Sequence, residues 1–172
     1  SLNYPVRALS FDPVYSGRII AGTDRGLYQS QDNGLSWQTF SAATTGQLVN
    51  VGVATTRSYV FAGVYNGAGS TVELHKLGRD GSDSIINFPG TSPGKIFFDG
   101  WSNRLYIGTP YGVYRSSDEG ATWQNLGGGF QTLGLVAKNS DIWQLSYDGL
   151  MYSNNDVASW KTLSSTGNLI EG

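Results

Sequence analysis

The segment Gly22-Thr23-Asp24-Arg25-Gly26-Leu27-Tyr28-Gln29-Ser30 returns as Gly108-Thr109-Pro110-Tyr111-Gly112-Val113-Tyr114-Arg115-Ser116, an offset of 86 residues, or two periods of 43. A third copy, Ser146-Tyr147-Asp148-Gly149-Leu150-Met151-Tyr152-Ser153, places Gly149 37 residues after Gly112. Between the first two copies, Phe61-Ala62-Gly63 matches Ile20-Ala21-Gly22 at a displacement of 41, so a divergent repeat fills the gap. A period of this size marks one supersecondary unit that buries its apolar face only by stacking on its neighbours.

The four repeats begin near Val6, Leu48, Lys95 and Thr132, each with an apolar or alternating run such as Val6 to Phe11 or Leu48 to Val53. A turn follows in three of them (Asp12-Pro13, Asp99-Gly100, Asn139-Ser140), and then a second strand (Arg18 to Gly22, Tyr59 to Gly63, Arg104 to Gly108, Asp141 to Leu145), a third and a last. Four strands in roughly 40 residues is the size of a β-propeller blade. The expected fold is therefore all-β, with about four four-stranded antiparallel blades near 5–40, 47–88, 94–126 and 131–163 in a single domain over 3–170. No segment carries a sustained apolar pattern at helical spacing, so helices are expected to be absent or single turns. The terminal pairs Ser1-Leu2 and Glu171-Gly172 read as cloning remnants.

Composition agrees. The chain of 172 residues has 24 glycines, 14% charged residues and 13% aromatics, a mixture of tight turns and packed rings. Its net charge of −2 offers no basic field for phosphate backbones, so nucleic acid is not expected as a partner. The absence of cysteine removes disulfides, thiolate nucleophiles and Cys-ligated zinc. A single histidine, His75, rules out sites built from two imidazoles and leaves one Ser-His-Asp arrangement to consider. No apolar run reaches the roughly 18 residues of a membrane span, and no EF-hand-like ligand spacing occurs. Neither a metal nor a cofactor is expected.

Two segments, Ser30-Gln31-Asp32-Asn33-Gly34-Leu35-Ser36-Trp37 and Ser116-Ser117-Asp118-Glu119-Gly120-Ala121-Thr122-Trp123, share the form S-x-D-x-G-x-[ST]-W. A degenerate third keeps Ser153, Ser159 and Trp160 but has Asn155 for the Asp and Val157 for the Gly, while the second repeat has only Arg79-Asp80-Gly81-Ser82, an Asp-Gly hairpin turn. The chemistry explains the spacing. Asp32 or Asp118 accepts N–H bonds across the turn, Gly34 or Gly120 supplies positive φ, Ser36 or Thr122 adds a hydroxyl, and Trp37 or Trp123 lays a ring between neighbouring sheets.

These motifs resemble the Asp-box, or BNR repeat, over about Val6 to Leu163. The resemblance implies a propeller of the kind found in sialidases, xyloglucanases, sortilin-type receptors and photosystem II assembly-factor-like proteins, and it leans towards a secreted or cell-surface location. It also implies that the boxes lie between third and outermost strands, away from the ligand end.

The opposite end would carry the turns between second and third strands and the connections between blades. Candidate ligand-binding residues there are Arg7, Asp24, Arg25, Tyr65, Asn66, Tyr111, Phe130, Tyr147 and Asp148, since flat rings stack on sugars while carboxylates and amides bond hydroxyls. Gly127-Gly128-Gly129 reads as a flexible connection, because it lacks the Lys and helix of a phosphate loop. A binding or scaffold module for a glycan or protein is the principal reading. The alternative is a fragment or small relative of a glycoside hydrolase using Asp24 and Asp148 as paired carboxylates. Four blades leave open a closed ring, a half-propeller that pairs as a homodimer, or part of a larger propeller with further blades.

Overall fold

A computed structural model describes residues 2–49, 52–66, 71–154 and 159–165. The chain is all-β, with four antiparallel four-stranded blades of β-propeller type, each a meander in which sequential strands pair. Blade 1 comprises β1 (Val6–Phe11), β2 (Ile19–Thr23), β3 (Gly26–Ser30) and β4 (Gln38–Thr39); blade 2 comprises β5 (Val53–Thr55), β6 (Tyr59–Asn66), β7 (Thr71–Gly78) and β8 (Asp83–Ile86). Blade 3 comprises β9 (Ile96–Asp99), β10 (Arg104–Thr109), β11 (Gly112–Ser116) and β12 (Gln124–Gly128); blade 4 comprises β13 (Gly134–Lys138), β14 (Asp141–Ser146), β15 (Gly149–Ser153) and β16 (Lys161–Ser165). The helical element among the described residues is one 3-10 turn at Ala42–Thr44, and no described helix is long and apolar enough to cross a membrane.

Two compact units divide the chain, Ser1–Phe88 with blades 1 and 2, and Pro89–Gly172 with blades 3 and 4. In the first, Ile20, Leu27 and Phe40 of blade 1 pack on Val53, Val60, Ala62 and Leu77 of blade 2. Each fully buried aliphatic side chain here stabilises by about 1.5–3 kcal/mol. Polar bonds fix the register of the two blades: Thr55 N–H donates to Ser10 Oγ at 2.8 Å, and Ser41 Oγ donates to the Gly81 carbonyl at 2.8 Å. In the second unit, Tyr106, Val113 and Leu126 of blade 3 meet Leu135, Ala137 and Ile142 of blade 4, with Phe97 and Trp160 against them.

The first strand of blade 2 is shorter than its apolar run predicts. It starts at Val53, while Leu48 and Val49 use their backbone on Tyr65 and Thr23, and residues 50 and 51 lie outside those described. The glycine run also departs from expectation. Gly127 and Gly128 belong to β12 rather than to a flexible connection, and Gly112 pairs with Gly128. Close approach explains it: a Cβ on Gly112, whose φ is +133°, would stand 2.2 Å from the Gly127 carbonyl oxygen.

The S-x-D-x-G-x-[ST]-W turns join the third and fourth strands of blades 1 and 3, as the resemblance implies. Asp32 accepts from Ser30 Oγ at 2.8 Å, Ser36 N–H at 2.8 Å and Ser36 Oγ at 2.6 Å. Asp118 repeats the set with Ser116 Oγ, Thr122 N–H and Thr122 Oγ1 at 2.8, 2.8 and 2.5 Å. Besides Gly34 and Gly120, the preceding Asn33 and Glu119 also take positive φ, +59° and +53°. Trp37 Nε1 donates to the Gly34 carbonyl of its own turn at 2.9 Å. Trp160 bridges blades 4 and 3, donating to the Leu126 carbonyl at 2.7 Å. Asn155 of the degenerate turn lies outside the described residues.

Candidate functional site

The turns between second and third strands share one device. Thr23 Oγ1 donates to the Gly26 carbonyl at 2.9 Å and accepts the Arg25 N–H at 3.0 Å. Thr109 does the same with Gly112 and Tyr111 at 2.9 and 3.1 Å, and Ser146 with Gly149 and Asp148 at 3.2 and 3.2 Å. Each hydroxyl is buried, and the glycine that closes each turn has φ of +116°, +133° or +129°. The two residues between them project from a braced tip. They are Asp24-Arg25, Pro110-Tyr111 and Tyr147-Asp148, so the candidate residues at these positions stand on rigid supports. The bracing role of Thr23, Thr109 and Ser146 was unread in the sequence, although a hydroxyl three residues before the glycine recurs in all three copies.

In the first unit, Arg7 and Asp24 come together. Arg7 Nε and Nη2 donate to the two oxygens of Asp24 at 2.8 and 3.0 Å, a forked pair. The hydrogen bond from Arg7 holds the Asp24 carboxyl below its usual range, and Asp24 in turn raises Arg7. Asp24 is thus kept ionised with both oxygens engaged, which suits an ion-pair anchor and opposes a general-acid role. Tyr65 and Asn66 end β6, half-buried, with Asn66 Nδ2 donating to Glu73 Oε1 at 2.8 Å. Residues 67–70 of that turn lie outside those described. Arg25 is exposed.

In the second unit, Tyr111 and Tyr147 are 72% and 66% exposed, so most of each ring is offered to solvent. Phe130 is also exposed, and Gln144 pins its connection: fully buried, Gln144 Nε2 donates to the Phe130 carbonyl at 2.8 Å and to Thr132 Oγ1 at 2.9 Å. Nothing in the sequence distinguished Gln144 from an ordinary strand residue. Asp148 is exposed at its tip.

His75 does not form a nucleophile relay. Its Nδ1 faces Asp83 at 2.7 Å and its Nε2 faces Glu73 at 3.8 Å, both carboxylates, inside blade 2. Among the described residues no three His, Asp or Glu side chains converge as a metal ion would need.

No protein-family model and no curated protein matches the chain in sequence. Solved structures do match in shape. An ancestral GH74 enzyme superposes with a TM-score of 0.69 at 21% identity, over 94% of this chain and 24% of that one. A chain of a nidogen/laminin complex gives 0.72 at 11%, over 88% and 60%. The extracellular domain of a hybrid two component system from B. thetaiotaomicron gives 0.70 at 18%, over 98% and 24%. The chain therefore spans about a quarter of the GH74 enzyme and the sensor domain. At these identities the likeness is one of fold, and the fold that all of these observations share is the β-propeller.

Proposed function

We propose that this chain is a non-catalytic β-propeller module that binds a glycan or protein through the hydroxyl-braced tips. The observation that carries this reading is the exposure of Tyr111 and Tyr147 on turns whose backbone is locked by Thr109, Ser146 and the positive-φ glycines. Exposed rings on rigid supports lose little conformational freedom when they stack on a sugar or an apolar side chain. Arg25 and Asp148 add polar groups at the same kind of tip. The S-x-D-x-G-x-[ST]-W turns act as Asp-boxes that stabilise the blades, and a secreted or cell-surface location fits a module whose structural neighbours include an extracellular sensor domain.

The second reading is a glycoside hydrolase relative using Asp24 and Asp148, favoured by the GH74 names among the structural neighbours. Against it stands the Arg7 fork, which occupies both Asp24 oxygens. The test is a panel of neutral and acidic polysaccharides assayed for both binding and reducing-end release. Saturable binding without turnover, weakened in Tyr111→Ala and Tyr147→Ala, supports the module. Turnover abolished in Asp24→Asn or Asp148→Asn would replace it with the enzyme.

A further inference from the structure

At the end of the first unit that carries the Ser30–Trp37 turn, a cavity of about 410 Å³ is lined by Tyr15, Ser16, Arg18, Gln31 and Arg79. Its ionised wall residues are both cationic. The carboxylate between them, Asp12, is wholly buried and already spent: Oδ1 accepts the N–H groups of Val14 and Tyr15 at 2.8 and 3.1 Å, and Oδ2 accepts Arg79 Nη1. Arg79 uses its other two nitrogens on the Arg57 and Thr56 carbonyls, both at 2.7 Å. Arg18 is left poorly matched. Its Nη1 stands 3.6 Å from Asp12, its Nη2 makes a 3.3 Å bond to the Arg79 carbonyl, and its Nε is buried without a protein acceptor. Nearby carboxylates are engaged elsewhere, Asp80 by Ser82 and Asp32 by Ser30 and Ser36.

Two guanidiniums against one carboxylate leave one positive charge in excess, on an Arg18 side chain only 11% exposed, whose guanidinium faces the Tyr15 and Phe40 rings at 5.9 and 5.5 Å from their centroids but meets no second anion among the described residues. Buried charge without a matched partner is costly, and an anion entering the cavity relieves it. The second unit provides an internal contrast. Arg104, 86 residues after Arg18, donates to Ser140 Oγ at 2.7 Å, and Asp99 reaches the next blade through the Asn139 N–H at 2.9 Å rather than through a guanidinium. Among the ion pairs given for the described residues, two guanidiniums facing one carboxylate is an arrangement of the first unit.

We propose that this cavity is an oxyanion site that takes the carboxylate or sulfate group of an acidic sugar. The volume falls in the range of roughly 300–1,000 Å³ usual for small-molecule pockets, larger than a lone inorganic anion requires. The exposed Tyr15 ring, the Ser16 hydroxyl and the Gln31 amide supply the stacking and hydrogen-bonding groups that a sugar ring uses. The site lies at the opposite end of its blades from the braced tips and does not rest on the reading of those tips.

The experiment is calorimetric titration of the whole chain with D-glucuronate and glucose 6-sulfate, with glucose as the neutral control and sodium sulfate and phosphate as free oxyanions. Both acidic sugars are expected to saturate one site, glucose to show none, and affinity to fall as salt rises. Arg18→Gln removes the excess charge, and Gln31→Glu sets a like charge at the exposed wall; each is expected to weaken binding by roughly tenfold or more, while Arg104→Gln leaves it unchanged. Gln31→Glu decides the matter if Arg18→Gln fails to fold. Sulfate or phosphate binding alone, lost in those variants, supports the oxyanion site and identifies a free anion as its source. Absence of saturable binding by every probe, or binding that neither variant moves, overturns the proposal.

Discussion

Asp32 and Asp118 each gather three hydrogen bonds within a few residues of chain, and the donors from Ser36 and Thr122 pull their carboxyls down to about 2. In the unfolded chain an aspartate titrates near 3.9, so between those values the unfolded state holds more protons than the folded one. The stabilisation from these turns is complete above about pH 4 and is lost as pH falls through about 2. Asp24 and Asp80 are lowered too and act in the same direction. Melting temperature measured from pH 6 to pH 2 is expected to drop most steeply below pH 4. The Asp32→Asn, Asp118→Asn double variant is expected to start lower and to lose less across that interval. Gly112 is a second sensitive residue. Gly112→Ala forces a side chain into φ of +133° and against the Gly127 carbonyl, with an expected loss of at least about 1–3 kcal/mol in urea denaturation.

Blade 2 lacks the S-x-D-x-G-x-[ST]-W turn, and its Arg79-Asp80-Gly81-Ser82 turn serves a different end, sending Arg79 back to Asp12 of blade 1. Burial alone would raise the Asp12 carboxyl, but Arg79 and the N–H groups of Val14 and Tyr15 outweigh it and hold the group below its usual value. Arg79→Ala is expected to cost towards the lower end of about 3–5 kcal/mol, because Arg18 remains 3.6 Å away to share the charge. Chemical denaturation checks this, and a change under 1 kcal/mol would mean that Arg18 substitutes fully. The contrast shows what a sequence exposes at this scale. Strand positions were readable from Val6, Tyr59, Arg104 and Asp141 onwards because alternation and turn residues are local. The Arg79–Asp12 link, 67 residues apart, and the Gln144 clamp on Phe130 are products of packing, which no local pattern encodes.

Across the whole chain, the repeat period made the blades legible, and the candidate residues at the tips followed from meander order. Their pairing did not: Arg7 and Asp24 were both candidates, but only the folded backbone reveals that each occupies the other. Blades 1 and 4 carry a further consequence. On β1, Leu9 and Phe11 are exposed on the face opposite Ala8 and Ser10, and on blade 4 Val136, Leu145 and Leu163 are exposed. Apolar sheet faces of this kind favour association. Light scattering is expected to give a multiple of the 18.5 kDa chain mass, whereas a species at 18.5 kDa across the micromolar range would remove self-association as the means of covering them. The braced tips have an implication of another sort. Since the buried hydroxyl, the positive-φ glycine and one backbone N–H hold each turn, the side chains of the two residues between them take no part in the brace. Asp24-Arg25, Pro110-Tyr111 and Tyr147-Asp148 already differ from copy to copy while the brace stays the same, so the five positions other than Asp24, which is kept for its pair with Arg7, can be randomised together, making the chain a scaffold for selecting new binders whose library members melt close to the parent.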